Sequence, residues 1–187
     1  MHSAHRARFF RNWLQDPLGV ASIAPSGRAL ARIMAAGIGP GARVLELGAG
    51  TGTLTAALLD NGVAAQHLDL VERNASFVRI LRARFPAAHV HAIDVAQLAT
   101  HFDARRSQFD FIVSGLPIIW FKPALKRAIL HAAFELLTPA GRFHQFTYLG
   151  RPPIEGRILH ELGLAATFAG FVPLNVPPGF VYRFARA

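Results

Sequence analysis

Cysteine is absent from the 187 residues, so neither a disulfide framework nor a thiolate metal site is available. The nine histidines contain no i, i+4 pair beside an acid, the spacing with which a helix presents two imidazoles to one ion, and no metal is expected. Long apolar runs are missing too. Hydrophobic residues make up 52% of the chain, yet no stretch approaches the ~18–20 residues of a membrane span. The first residues carry arginines but no apolar segment ahead of a cleavage site, which predicts an intracellular protein. Acids and lysine are scarce: 11 Asp and Glu face 20 basic residues, 18 of them Arg, for a net charge of +9. That excess of guanidinium favours an anionic partner bearing phosphate. The length suits one domain with a sizeable core and leaves too little for two.

What is present begins with Val44-Leu45-Glu46-Leu47-Gly48-Ala49-Gly50-Thr51-Gly52-Thr53, an apolar strand running into a glycine loop that opens a helix. This is a nucleotide-handling turn. Its glycines fall at 48, 50 and 52, not in the G-x-G-x-x-G of a dinucleotide site. Glu46 would repel a pyrophosphate and welcome a cation, such as an amino-acid ammonium or a sulfonium. The ligand that fits is S-adenosylmethionine. A second apolar run ends in Glu72, placed to accept both ribose hydroxyls, and a third closes on Asp94, placed for the adenine amine. Each acid alone is also what caps a helix N-terminus, where negative charge is favoured by about 0.3–1 kcal/mol. Thr53, Arg73, Val95 and Ser114, which flank the same strand ends, complete the expected cofactor-binding set with Glu46, Gly48, Gly50, Gly52, Glu72 and Asp94.

Helix and strand signals alternate along the chain as in a doubly wound α/β sheet. Helices are expected over 51–60, 76–84 and from Pro123 to about Leu136, and further strands over 109–114 and 142–147. After a short helix near 154–162, two strands follow one another across a Pro-rich turn at 173–178, a hairpin that adds an antiparallel strand. Seven mostly parallel strands, the last antiparallel, with helices on both faces, resemble the class I (Rossmann-like) methyltransferase fold. Residues 37–187 are expected to form this domain and residues 1–36 a set of amphipathic or lid helices.

On a helical wheel of 100° per residue, Phe9, Phe10, Trp13 and Leu14 share one arc and Arg8, Arg11, Asn12 and Gln15 the other, an amphipathic helix. Such a segment either lies in a lipid headgroup interface, each basic residue adding about 1 kcal/mol near an anionic surface, or packs on its own domain as a lid. Arg8, Phe9, Phe10, Arg11 and Trp13 are the candidate membrane contacts. After the fourth strand comes Ser114-Gly115-Leu116-Pro117-Ile118-Ile119-Trp120-Phe121-Lys122, where ligands sit in open α/β sheets. A nucleobase methyltransferase would carry an aromatic platform here; this chain has Ile118 at that position. Ile118, Ile119, Trp120 and Phe121 are expected either to face acyl chains or to form a plain apolar connection to the next helix.

Phe10-x-x-Trp13-Leu14-x-x-Pro17, Ile23-Ala24-Pro25-Ser26, the glycine loop, Ser114-Gly115-Leu116-Pro117, Gln145-Phe146-Thr147-Tyr148, Asn175-x-Pro177-Pro178 and Val181-Tyr182 together resemble the bacterial phospholipid N-methyltransferases. Those enzymes methylate phosphatidylethanolamine toward phosphatidylcholine. At Gly179-Phe180 the chain departs from the Ala-Arg that members often carry, which bears on headgroup selectivity or the number of methylations. The resemblance implies a phosphatidylethanolamine-type substrate, a membrane surface of anionic lipids on the inner face of the cytoplasmic membrane, and no nucleic acid. It also implies direct displacement, with the amine aligned in a dehydrated site. Tyr148 is the first candidate to hold the amine, and His144, on the same strand face, is a weaker candidate proton acceptor. Arg151 or Arg183 would meet the lipid phosphate, and Ser26, Leu116, Trp120 and Asn175 fall in the matched motifs as further substrate contacts. Two other classes stay open: a ribosomal RNA adenine or small-molecule methyltransferase, and a non-catalytic adenosylmethionine-binding protein on anionic surfaces.

Overall fold

The computed structural model describes residues 25–173 and 177–187. Seven strands form a single sheet in the order β3-β2-β1-β4-β5-β7-β6. The strands are β1 (Val44–Leu47), β2 (Leu68–Val71), β3 (His89–His91), β4 (Phe109–Ser114), β5 (Leu137–Thr147), β6 (Leu164–Val172) and β7 (Gly179–Arg186). β7 runs antiparallel to both neighbours and the other pairings are parallel, as the hairpin signal requires. Every residue of β1 and β2 is buried, which is why these strands read as apolar runs and not as an alternating pattern.

The buried side chains form two clusters, one on each face of the sheet. One face carries α1 (Pro25–Ala35), α2 (Thr53–Asp60) and α3 (Ala75–Arg84), and the other α4 (Leu98–His101), α5 (Pro123–Leu136) and α6 (Gly156–Glu161). Pro123 opens α5 at its first position, where its missing N–H costs nothing. Helix α1 lies over β5, β6 and β7 and buries Leu30, Ala31, Met34 and Ala35, so it belongs to the helix layer of the domain. Its path over β6 depends on Gly170: a Cβ there would stand 2.5 Å from Ile33. The end of α1 is held from beneath, His144 donating its Nδ1–H to the Met34 carbonyl at 2.8 Å and Arg183 donating to the Ala36 carbonyl at 3.0 Å.

Several boundaries differ from the pattern of the sequence. β5 begins at Leu137, since the ladder to β4 jumps from Phe109↔Leu137 to Phe111↔Arg142 and absorbs Thr138–Gly141 as an irregularity inside the strand. α4 has only four residues, too short for a periodic signal. The chain order reverses between β1 and β4, which are neighbours, and a crevice opens at that switch point beyond the carboxyl ends of the strands.

Candidate active site

The crevice is a cavity of about 610 Å³ lined by the ends of β1, β2, β3 and β4. The glycine loop enters its wall through Gly48. Gly48, Gly50 and Gly52 all have positive φ (72°, 56° and 84°), a region closed to most side chains. A Cβ on Gly48 would fall 2.7 Å from Leu116, and one on Gly115 would fall 2.8 Å from the Gly48 carbonyl, so two glycines bring the loops after β1 and β4 into contact. Glu72 follows β2 and is almost buried; its carboxylate accepts from the amides of Gly50 (2.9 Å) and Asn74 (2.8 Å). An ionised carboxylate has about four acceptor positions, so two remain for a ligand's hydroxyls. Asp94 accepts from the Ala96 amide at 2.9 Å and pairs with Arg73 at 3.1 Å. Both line the cavity with Val95, among the apolar walls of Ile93, Leu116, Pro117, Phe121 and Leu125.

A small apolar cavity of about 40 Å³ adjoins through Gly115 and is lined by Leu30, Met34, Glu46, Thr53, Phe146 and Tyr148 among others. Glu46 is its charged group. The carboxyl is fully buried and accepts from the Thr55 hydroxyl at 2.7 Å through Oε2, while Oε1 has no partner among the described residues. Burial pushes its pKa up to about 8, the Thr55 bond opposing and the nearby Glu72 adding to the rise. An unsatisfied buried carboxyl oxygen in a lined cavity is a place for a cationic ligand group. Tyr148 packs edge-on against Phe146, with ring centroids 5.4 Å apart.

Not every expected site residue reaches these cavities. Gly52 is a packing glycine: a Cβ there would stand 2.3 Å from the Phe85 ring, so it seats α2 on the end of α3. Ser114 is fully buried and its hydroxyl caps the following loop by accepting from the Leu116 amide at 3.3 Å. His144 is locked to Met34 deep under α1 and edge-on to Phe111. Burial lowers its pKa to about 4, the Met34 bond opposing and Arg183 and Arg142 adding to the fall. Four residues of strand separate it from Tyr148, ~13 Å at strand rise, which removes it from the acceptor end. Arg183 serves the end of α1 and lines neither cavity. In the loop after β4, Ile118 is core and Phe121 wall, whereas Trp120 is 57% exposed. Arg151 is exposed in the turn after β5. Asn175, Arg8, Phe9, Phe10, Arg11, Trp13 and the Ser26 side chain lie outside the described residues.

Two groups were not singled out from the sequence as site residues. Gln145, fully buried, donates to the Leu116 carbonyl at 2.8 Å and so fixes the loop that roofs Gly48. Asp69, buried in the middle of β2, accepts from His91 at 2.7 Å and from Arg105. Burial alone would raise its pKa, but these two bonds outweigh it and hold the carboxyl below its usual value. The signal for Asp69 was an acid inside an apolar strand, which demands a partner.

A glycine loop between buried strand and helix, a held carboxylate after β2 and a buried acid beside the acceptor cavity define an S-adenosylmethionine-dependent enzyme. Residues 44–141 match the methyltransferase domain family, and the chain belongs to the class I S-adenosylmethionine-dependent methyltransferases. Over 180 residues it is 34% identical to the ornithine lipid N-methyltransferase of Singulisphaera acidiphila, spanning 93% of this chain and 92% of that one. In fold it is similar to the Burkholderia thailandensis 1,6-didemethyltoxoflavin-N1-methyltransferase bound to S-adenosylhomocysteine (TM-score 0.70, 19% identity, 98% of this chain and 89% of that one). It is also similar to the magnesium protoporphyrin IX methyltransferase of Synechocystis bound to S-adenosylmethionine (TM-score 0.63, 16% identity, 87% and 78%). The residues fit the cofactor. Glu72 would take the ribose, Asp94 and the apolar walls the adenine, and the unsatisfied oxygen of Glu46 the ammonium. When bound, it supplies an electrophilic methyl group on a sulfonium.

Proposed function

We propose that this methyltransferase N-methylates the amine of a membrane aminolipid, phosphatidylethanolamine or an ornithine lipid, at the bilayer surface. The observation that carries this reading is the acceptor cavity. It is apolar apart from Glu46, Thr53 and Tyr148, and Ile118, where a base-stacking aromatic would stand, is buried in the core. A slim aliphatic amine suits it better than a flipped base. The full-length likeness to an enzyme named for ornithine lipid supports the same substrate class.

The amine has a pKa of about 10 when free and attacks only after losing a proton. Tyr148 and the backbone carbonyls after Ser114 are the groups to hold it, with water or one of these oxygens taking the proton. The apolar walls exclude bulk water, and the rigid loop fixed by Gln145 aligns the nitrogen. Arg151, beyond Tyr148, would meet the headgroup's anionic group. Each acyl CH₂ favours the bilayer by about 0.8 kcal/mol, so the enzyme must go to its lipid, on the inner face of the cytoplasmic membrane. Arg8, Phe9, Phe10, Arg11 and Trp13, whose sequence pattern suits a lipid interface, are the candidate attachment for that purpose.

Labelled methyl transfer to vesicles containing phosphatidylethanolamine, vesicles containing ornithine lipid, RNA and buffer tests the reading. Label in an aminolipid is expected. Label in RNA alone overturns it.

A further inference from the structure

The outermost strand, β6, carries Phe168 and Phe171, 60% and 44% exposed. Three residues apart on a regular strand, they would point to opposite faces. The ladder to β7 slips between them, pairing Phe168 with Tyr182, Gly170 with Val181 and Phe171 with Phe180. The extra residue, Ala169, is a bulge that returns both phenylalanines to one face. There Phe168 meets Tyr182 edge-on at 5.7 Å and Phe171 tilts against Phe180 at 4.8 Å between ring centroids.

This aromatic row reaches the carboxyl end of β5 on the sheet face opposite the acceptor cavity, since Phe180 and Tyr182 belong to one core cluster and Phe146 and Tyr148 to the other. Phe180 is paired with Thr147, the residue before Tyr148. A Cβ on Gly150 would lie 3.7 Å from the Phe180 ring, and the neighbouring Leu149 is 37% exposed. Leu149, Phe168 and Phe171 are three of the five large hydrophobics exposed among the described residues, so exposure is concentrated here and not scattered singly. The charge beside it is positive. Arg151 follows Gly150 in the open, and Arg157, 78% exposed, stands in α6, which packs on β6. Two acids stand in that region, Glu155 paired with Lys126 and Glu161 paired with Arg127 and, at 3.6 Å, with Arg157, so the four cations Lys126, Arg127, Arg151 and Arg157 outnumber them.

We propose that the face of Phe168 and Phe171, rimmed by Arg151 and Arg157, docks the protein on an anionic lipid bilayer. The rings enter the boundary between headgroups and acyl chains, and the guanidinium groups stay at phosphate level. Docked this way, the carboxyl end of β5, where Thr147 pairs with Phe180, lies toward the bilayer, with Tyr148 reached around the rim of the sheet. The inference rests on the aminolipid reading for its purpose, and its residues lie in β6, α6 and the turn after β5.

The test compares the full chain with F168S and with F168S/F171S. Readouts are sedimentation with phosphatidylglycerol/phosphatidylethanolamine vesicles and with phosphatidylcholine vesicles, sedimentation velocity, adenosylmethionine affinity, and turnover of a short-chain aminolipid below its micelle concentration. The double variant is expected to lose at least tenfold in partition to the anionic vesicles and the single variant part of that. Cofactor affinity and turnover of the monomeric lipid should stay at wild-type values, and wild-type partition should fall with salt. Unchanged partition of the double variant overturns the proposal. So does a wild-type dimer that the substitutions split without altering vesicle binding, which assigns the face to a second copy. Loss of partition in the variants of an enzyme that methylates no aminolipid sustains the docking face and defeats the aminolipid reading alone.

Discussion

Thr55 donates its hydroxyl to one oxygen of Glu46 at 2.7 Å, and the other oxygen of the same buried carboxyl has no partner among the described residues. With a pKa raised to about 8, Glu46 holds a proton at pH 7 while the cavity lacks a cation. An ammonium placed beside it favours the ionised form. Binding of adenosylmethionine at pH 7 should therefore release roughly one proton. Calorimetry in two buffers of different ionisation enthalpy measures it directly. In E46Q the release should vanish and affinity should fall about tenfold or more, the size of one charge-assisted hydrogen bond.

Glu72 ties the glycine loop to the strand beside it through the Gly50 and Asn74 amides. E72A removes both ties and the acceptors for a ribose, and G50V puts a branched side chain at a φ of 56°. Each should abolish measurable adenosylmethionine binding. Circular dichroism should remain that of the wild type, and calorimetric binding like that of the wild type would remove these residues from the cofactor site.

Tyr148 shares the acceptor cavity with Glu46. Y148F should slow methylation of the aminolipid by about 10²-fold, the scale of one group acting in proton transfer. Cofactor affinity should barely change, because the lost contact belongs to the transition state. Full activity of Y148F on lipid excludes the hydroxyl from the reaction.

His144 should make the fold acid-sensitive. Its pKa is about 4 in the folded protein against 6.5 ordinarily, so on acidification the unfolded chain takes up the proton first. The stability this group contributes is complete above pH 6.5 and is lost as pH falls toward 4, by about 3 kcal/mol at 1.36 kcal/mol per pKa unit. Urea unfolding of H144N across that range should give a shallower pH dependence than the wild type, from a lower starting stability because the bond to Met34 is altered.

The parts legible from the sequence are those made by neighbours along the chain. Strand, glycine loop and helix follow one another without a break from Val44 to Asp60, so their spacing alone announces a cofactor turn, and Glu72 and Asp94 follow their strands in the same way. The sheet with an antiparallel strand followed from a hairpin with no helix between its arms. What failed to show depends on distance in sequence. His144 and Arg183 look available for chemistry until Met34 and Ala36, 110 and 147 residues away, occupy them. Gly52 looks like a ligand glycine until Phe85 is laid over it, and Gln145 gains its task only when the Leu116 carbonyl comes within reach. The bulge at Ala169 is invisible in a strand whose residues give no sign of where the ladder slips.

The position of β7 between β5 and β6 has a consequence for synthesis. Translation delivers β5 first, then β6, and only afterwards the strand that hydrogen-bonds to both. Until residues 179–186 emerge, β6 with its two phenylalanines has no ladder to join, and the nascent chain presents open backbone beside aromatic surface, a combination prone to stray pairing. Slowing elongation just before that segment should raise the share of chains captured by holdase chaperones, while slowing after it should leave that share unchanged.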